Sequence, residues 1–494
     1  MTTTPSVGAV DLRHLVGGRW ESGGAEPLVS ANPARPEEIV AAGRGATAAD
    51  VDRAVTAARR AARAWARTPM HERGAILIRA AAAALEAESG ALGLELAREE
   101  GKTLAEGTGE VLRAAQILRY YGNEGDRVAG EVFASPRRGE RILVTRKPLG
   151  VVGVITPFNF PIAIPAWKIA PALAYGNTVV WKPSGAVPLL AARLTEALVG
   201  AGLPDGVLNL LIGSGELGTA IVNHPGVDGI TFTGSTTIGR RIAAAGAASG
   251  VPVQAEMGGK NAAVVLADAD LDLAAEQVLF GAFRSTGQKC TATSRLILQD
   301  AVADDFLDRL RARLDDWIVG DPTDPAVHMG PVVSETARRD IRAGIDRSLA
   351  EGATLLIGGR EVPETGHFVP ATVLELPSDP VRAASNSAWT EEFFGPVLSV
   401  RRARDAATAF ALVDESEFGL SAAVFTQDIT RALDAVEDLD VGILHINSES
   451  AGADPHVPFG GAKKSGYGPK EQGAAAKEFF THTTTVYLRG GSPA

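Results

Sequence analysis

LGVVGVITPFNFPIAIPAWKIAPALAYGNTVVWKPS, residues 149–184, is the stretch from which the fold is read. An apolar, β-branched run, Val151–Ile155, leads into a proline-punctuated loop. A helical pattern follows over Pro165–Tyr175, and a second β-branched run occupies Thr178–Trp181. From Leu149 to Trp167 there is no charge, so the segment imitates a membrane span. Pro157, Pro161 and Pro165 would break such a helix, and Asn159 would be unpaired in lipid. The stretch therefore reads as a buried strand, a loop and a buried helix.

Downstream the pattern repeats. Strand-like runs at Val207–Ile212, Gly229–Phe232 and Val253–Glu256 alternate with helical patterns at Pro188–Gly200, Glu216–Asn223 and Thr237–Ala247. That alternation predicts an α/β fold with a parallel, doubly wound sheet. Ligands of such sheets sit at the carboxyl ends of the strands. The chemistry is thus expected at Thr156–Phe160, Lys182–Ser184, Thr233–Ser235 and just after Glu256. Upstream, about the first 125 residues read as mostly helical, with Asp50 capping Val51–Trp65 and further helices over Arg73–Glu99 and Glu110–Tyr121. Glu140–Lys147 alternates like a strand. A second α/β block runs from Gly258 to Gly466 and includes helices at Val302–Trp317 and Ala406–Asp414. The tail Thr481–Arg489 is a lone strand that needs a partner, either Arg141–Lys147 or a neighbouring subunit.

A chain of 494 residues exceeds the usual single core, so two or three domains are expected. A formal net charge of -11 disfavours phosphate backbones and anionic membrane surfaces, and no nucleic-acid or membrane partner is expected. The one cysteine excludes an intrachain disulfide and suits a reducing cytoplasm. Met1–Val10 lacks the basic and apolar regions of a signal peptide. The eight histidines are scattered, giving no support to a histidine metal site.

Several residues carry chemistry. Gly213–Gly218 (GSGELG) matches G-x-G-x-x-G after a strand, but follows the third strand of the series and lacks a ribose acid downstream; it reads as a tight turn. Gly234 and Ser235 lie at a strand end that opens a helix, where backbone N–H groups and the helix dipole suit a phosphate or serve as a simple N-cap. Cys290, in GQKCTATSR, has small, polar and basic flanks; Lys289 would favour the thiolate. It reads as a nucleophile or as a structural cysteine. Glu256, ending a strand before Gly258–Gly259, reads as a general base or as a surface glutamate. Lys182 reads as a ribose or phosphate contact or as a solvated lysine. Asn159, between two phenylalanines, reads as an oxyanion donor or as a turn residue.

Together these segments resemble the aldehyde dehydrogenase superfamily over nearly the whole chain. The matching motifs are TPFNFP (156–161), AWKIAPALAYGNTVVWKPS (166–184), FTGSTTIG (232–239), EMGGKN (256–261), GQKCTATSR (287–295), EEFFGPV (391–397) and PFGGAKKSG (458–466). The resemblance implies a Rossmann-type cofactor domain (1–125 and 149–255), an α/β catalytic domain (256–469) and a small β oligomerisation arm (126–148 and 470–494). It also implies roles. Cys290 matches the nucleophile, Glu256 the base that activates hydrolytic water, and Asn159 with the Cys290 N–H the oxyanion hole. Lys168 and Glu471 match a proton relay. Thr156, Pro157, Phe158, Lys182, Ser184, Gly234, Ser235, Met257, Glu392 and Phe394 match the NAD or NADP contacts. Phe160, Trp167 and Phe459 match the aromatic walls of the substrate tunnel.

Two positions depart from the family pattern. Phe158 replaces a common tryptophan. Gly185 stands where NAD-preferring members carry a glutamate that holds both ribose hydroxyls, which leans the expectation to NADP. Within the family, PIAIPAWKIAPALAYGNTVVWKPS, SESAGADPHVPFGG and KKSGYGPKEQG look most like the branch that oxidises 2-oxoglutarate semialdehyde (2,5-dioxopentanoate). Arg284 and Lys289 would supply its counter-charge, unless they are ordinary surface cations. Glu256 implies a free acid product, since acyl-CoA-releasing members typically lack it. The resemblance further implies a homodimer or homotetramer. An uncharged aliphatic or aromatic aldehyde is the rival substrate. A thiol hydrolase or acyltransferase without nicotinamide, and a non-catalytic protein on the same fold, are the rival functions.

Overall fold

The computed structural model of the protein describes residues 8–127 and 130–491. Most of Met1–Val10, on which the leader reading rests, lies outside the described residues.

The N-terminal region corrects the helical expectation. Before any helix come five strands, β1 (Val10–Leu12), β2 (His14–Val16), β3 (Arg19–Glu21), β4 (Pro27–Asn32) and β5 (Arg35–Arg44). Three-residue strands are too short to display a period of two, which is why the pattern is silent there. One local signal exists: Gly17 and Gly18 both take positive φ and close the two-residue hairpin β2–β3. Helix α1 (Ala48–Arg67) is capped by Thr47, not Asp50; Asp50 sits at the third helical position and accepts the Thr47 N–H at 2.6 Å. The expected helix over Arg73–Glu99 is α2 (Met70–Ala80), a π turn and α3 (Ser89–Glu100). α4 (Leu104–Gly122) follows, beginning six residues before the patterned Glu110 and capped by Thr103 with Glu106. The hairpin β6 (Gly130–Ala134) and β7 (Glu140–Pro148) comes next.

The quoted stretch forms β8 (Val151–Ile155), α5 (Ala163–Ala174) and β9 (Thr178–Lys182). α6 (Leu189–Gly200), β10 (Leu208–Leu210), α7 (Gly215–Val222), β11 (Gly229–Gly234), α8 (Thr236–Ser249) and β12 (Val253–Met257) continue the alternation. All five residues of β8 are buried, as are those of β9 and β12, which is why they read as apolar runs and not as alternating ones. Each such Val or Ile contributes roughly 1.5–3 kcal/mol when removed from water. In space β8 is flanked by β9 and β10 on one side and by β11 and β12 on the other, all parallel. The order reverses between β8 and β11, which makes that crevice the topological switch point. Register places Lys182 opposite Ile155, Phe232 opposite Ile155, and Thr233 opposite Glu256. The expected functional residues therefore share one rim of the sheet.

A second sheet has the order β15 (Thr354–Ile357), β16 (Thr372–Glu375), β17 (Val397–Ala403), β14 (Thr293–Gln299), β13 (Asn261–Val265), β19 (Ser421–Phe425) and β20 (Ile443–Ile446). Helix α9 (Leu271–Phe283) packs on it just before the cysteine loop. Two short strands, β18 (Phe418–Gly419) and β21 (Ala462–Lys463), pair beside it. β22 (Gly466–Tyr467) returns to the first sheet and pairs with β12, so the two sheets are stitched at the rim that holds Glu256. The tail β23 (Thr481–Arg489) pairs with β7 of the same chain over its whole length. Among the described residues, no helix is long and apolar enough to cross a membrane.

Candidate active site

The chain crosses from the first sheet to the second through Gly258 and Gly259. A Cβ at Gly258 would overlap the Glu392 carboxylate, and one at Gly259 would lie 3.0 Å from the Cys290 carbonyl oxygen. Only glycines pass between these groups. Asn261, four residues past Met257 in the EMGGKN motif, then pins the cysteine loop. Its amide donates to the carbonyls of Cys290 at 2.8 Å and Ala292 at 2.9 Å, while its own oxygen accepts from Ser421 N at 3.0 Å. The loop enters by a left-handed turn in which Ser285, Thr286 and Gly287 all have positive φ. Two non-glycine residues there store strain that only surrounding contacts can hold. Ser450 Oγ donates to the Thr291 carbonyl at 2.8 Å, and Gln288 Oε1 accepts from Val333 N at 3.0 Å.

Cys290 is buried, and burial raises its thiol well above the usual range; the carboxylates of Glu256, Glu392 and Glu471 raise it further, while the Thr291 N–H works the other way. Glu256 is buried too, with neither carboxylate oxygen in a well-formed hydrogen bond. Burial lifts its carboxyl well above the ordinary value; Glu471 adds to this and Lys168 opposes it. A thiol and a carboxyl of raised affinity for protons thus face each other in one dry site, where one proton leaves more easily than two. Behind them, Lys168 forms a buried ion pair with Glu471 and donates to Thr231 Oγ1 at 2.9 Å. Thr231 in turn donates to Gln254 at 3.0 Å. Glu471 is held by backbone bonds in both directions with Phe459, each 2.7 Å. The structure thus links Lys168 and Glu471 to Glu256 electrostatically.

Asn159 lies between β8 and α5, buried, with its side-chain oxygen unpartnered. Next to it Phe160, with Trp167 and Phe459 (ring centroids 5.4 Å apart), walls a cavity of about 280 Å³ that Cys290 also lines. Arg284 and Lys289 line it as well. The structure adds a partner to that pair: Glu449 lies 3.9 Å from Arg284 and 3.6 Å from Lys289. One carboxylate faces two cations, and a third cation, Arg113, pairs with exposed Asp454 at 3.0 Å. Lys102, Glu106, Glu110, Arg113 and Glu449 all line this cavity, and the sequence reading gave none of them a functional role. One signal for them was present, the Thr103–Glu106 capping box that opens α4.

On the other side of the switch point lies a groove of about 590 Å³. Thr156, Pro157, Phe158, Lys182, Ser184, Gly234 and Ser235 line it, as does Arg241. Gly215 and Gly218 of the GSGELG turn line its flank. It has two cations and no carboxylate among its walls. At the N-terminus of the 14-residue α8, Ser235 makes no side-chain capping bond, and the hydroxyls of Thr233 and Thr236 are buried without partners. Unpaired donors at a helix N-terminus beside Lys182 fit a phosphate-bearing ligand. Of the remaining expected contacts, Phe394 meets Phe158 edge-on at 5.7 Å, and Glu392 accepts the Gly259 N–H at 3.0 Å. Burial lifts the Glu392 carboxyl to about 7. Met257 is not among the groove residues; its side chain turns under α8 against Gly239 and its N–H is given to the Ser465 carbonyl.

Comparison with known proteins agrees with this geometry. Residues 20–486 match the model of the aldehyde dehydrogenase family. The chain is 42% identical to an alpha-ketoglutaric semialdehyde dehydrogenase of Bacillus subtilis, over 96% of this chain and 98% of that protein. It is 40% identical to a 2,5-dioxopentanoate dehydrogenase of Saccharolobus solfataricus, over 95% of this chain and 98% of that protein. Among solved structures, a Staphylococcus aureus betaine aldehyde dehydrogenase in complex with NAD+ is similar with a TM-score of 0.92 at 31% identity, covering 98% of this chain and 96% of that one.

Proposed function

The chain belongs to the aldehyde dehydrogenase family, and we propose that it oxidises 2-oxoglutarate semialdehyde to 2-oxoglutarate through a thioester on Cys290. One observation carries the reading: Cys290 lines an aromatic-walled cavity and lies against the buried, unpartnered carboxyl of Glu256.

The residues divide the work. The Cys290 thiolate attacks the aldehyde carbon, and the oxygen that gains charge is held by the Asn159 amide and the Cys290 N–H. A nicotinamide dinucleotide, when bound, supplies the hydride acceptor that turns the tetrahedral adduct into the thioester. Lys182, Ser184 and the α8 N-terminus would hold its phosphates and adenosine ribose, and Glu392 and Phe394 its nicotinamide end. Glu256 then takes a proton from water, whose oxygen attacks the thioester carbon and frees the thiolate. Lys168 and Glu471 pass that proton on. The product is the free acid and not an acyl-CoA.

NADP is proposed as the preferred cofactor, with NAD as the alternative. A groove without carboxylates does not repel a 2′-phosphate, and Arg241 joins Lys182 in its wall. A Cβ at Gly185 would lie 3.3 Å from the Gly213 carbonyl oxygen, a contact relieved by a shift of a few tenths of an ångström. For the substrate, four cations (Lys102, Arg113, Arg284 and Lys289) line the cavity against three carboxylates (Glu106, Glu110 and Glu449), and Arg284 and Lys289 share the one carboxylate of Glu449. That surplus suits an aldehyde with an anionic end over an uncharged one.

The same reading assigns 1–125 and 149–255 to the cofactor domain, 256–469 to the catalytic domain, and 126–148 with 470–494 to an arm. Val132, Phe133, Tyr487 and Leu488 are exposed on that arm, which supports a homodimer or homotetramer. A free nucleophilic thiol that must stay reduced supports a cytoplasmic location. The test is turnover of 2-oxoglutarate semialdehyde, of uncharged aldehydes as controls, and of the variant Cys290→Ala. Preference for uncharged aldehydes would overturn the substrate assignment and leave the chemistry standing.

A further inference from the structure

Building on the thioester reading, we propose that the first turns of α4 are a positioning element that ties the nucleophile loop to the oxyanion loop and so sets the placement of Cys290 against Asn159. Glu106 and Glu110 are four residues apart on one face of α4, Lys102 lies just before its N-cap Thr103, and all three line the cavity between the two loops.

Glu106 holds the nucleophile side. Its Oε1 accepts from Ser285 N at 2.7 Å and from Ser285 Oγ at 3.2 Å. Its Oε2 is fixed in turn by Thr103 N at 3.1 Å and Thr103 Oγ1 at 2.8 Å. Ser285 begins the left-handed turn Ser285–Thr286–Gly287 that delivers Cys290. The carboxylate is thus the partner of the one N–H by which that strained turn is anchored to α4.

Glu110 and Lys102 hold the oxyanion side. Glu110 Oε1 accepts from Ile162 N at 3.0 Å and Ala163 N at 3.2 Å, capping α5, whose own N-cap residue Ile162 has no side chain to do so. Glu110 Oε2 takes the Lys102 ammonium at 2.8 Å. Lys102 also donates to the carbonyl of Asn159 itself and lies 3.8 Å over the Phe160 ring centroid. Both side chains of this pair are 2% exposed, so no water substitutes for them. The loop that carries the Asn159 amide is therefore held at the Asn159 carbonyl and at the N–H groups of Ile162 and Ala163. None of these three residues is assigned a role in bond making; each acts through another.

Two measurements test this. Cys290 is the only cysteine, so its alkylation by iodoacetamide reads the nucleophile loop without any turnover. Glu106→Ala is expected to change that rate at least tenfold, and Glu106→Gln, which keeps an acceptor for Ser285 N–H, to restore it to within threefold. Alkylation of Glu106→Ala within twofold of the wild type would overturn the nucleophile half. For the other half, Lys102→Met is expected to lower kcat/KM for the aldehyde about 100-fold, as roughly 1 Å misplacements do, chiefly in kcat. In an Asn159→Ala background the same change is expected to cost less than threefold, because Lys102 acts through Asn159. Losses that multiply would show a general structural role and overturn the oxyanion half. Where Lys102→Met does not fold, Glu110→Gln takes its place in the cycle. If the wild type turned over no aldehyde, the thioester reading itself would fall, while the alkylation arm would still decide the nucleophile half.

Discussion

Replacing Lys168 by methionine removes the cation of a buried pair and leaves Glu471 behind. Lys168 and Glu471 expose only 1% and 4% of their side chains, and Glu471 Oε2 already lacks a hydrogen-bond partner. Breaking such a pair from one side costs about 3–5 kcal/mol, because the remaining charge is neither solvated nor compensated. Thr231 Oγ1 would also lose its donor at 2.9 Å, but it keeps its bond to Gln254 at 3.0 Å, so that loss adds little. Removing both charges, as in Lys168→Met/Glu471→Gln, takes away the penalty with the pair, and its cost should be about 1 kcal/mol or less. The expected coupling is therefore at least ~2 kcal/mol. Guanidinium unfolding followed by tryptophan fluorescence reads this. With an m-value on the order of 5 kcal/mol/M, the single variant's midpoint falls by roughly 0.6–1 M and the double variant's by a fraction of that. The function should follow a different rule: both variants lose the relay, so both slow thioester hydrolysis. Additive midpoint shifts, or a single variant as stable as the wild type, would refute the reasoning from the buried pair.

Other outcomes follow from the site. Glu256→Gln should slow deacylation about 10²–10⁴-fold and leave an initial burst of reduced nicotinamide, seen by stopped flow. The same variant should alkylate at lower pH: burial and then the Glu256 carboxylate hold the Cys290 thiol up, so deleting that charge lets the thiolate form earlier. An unmoved or upward-moved profile would contradict the facing geometry. Gly185→Glu should lower kcat/KM for NADP at least tenfold while NAD changes little, measured with both cofactors in parallel. Arg284→Ala should raise KM for the anionic aldehyde about tenfold, with an uncharged aldehyde unaffected; equal effects on both would remove it from substrate recognition.

The central sheet was legible because β8, β9 and β12 are buried on both faces and so appear as unbroken apolar runs. Their parallel arrangement then followed from the alternation with helices, and the rim residues from the carboxyl ends of the strands. The N-terminal strands were not legible, since β1 to β3 hold three residues each, and only the Gly17–Gly18 turn betrays them. Lys102, Glu106 and Glu110 were missed for a different reason. Charges at the start of a helix ordinarily mean a solvated surface, and what buries these is α5 and the cysteine loop, far along the chain. Arg284 and Lys289 could be placed near Cys290 by sequence proximity, but their neutralising partner Glu449 comes from a distant loop that no local pattern connects to them. Glu256, Cys290 and Asn159 were individually ambiguous in sequence; the closeness of Cys290 to Glu256 came only with the fold.

The most direct test of the thioester account is reduced-nicotinamide absorbance with 2-oxoglutarate semialdehyde, run with NAD and with NADP, in the wild type and in Cys290→Ala. The account predicts turnover in the wild type without coenzyme A, faster with NADP, and none above background in the variant. Turnover that survives loss of Cys290, or a wild type silent with every aldehyde and both cofactors, would contradict it.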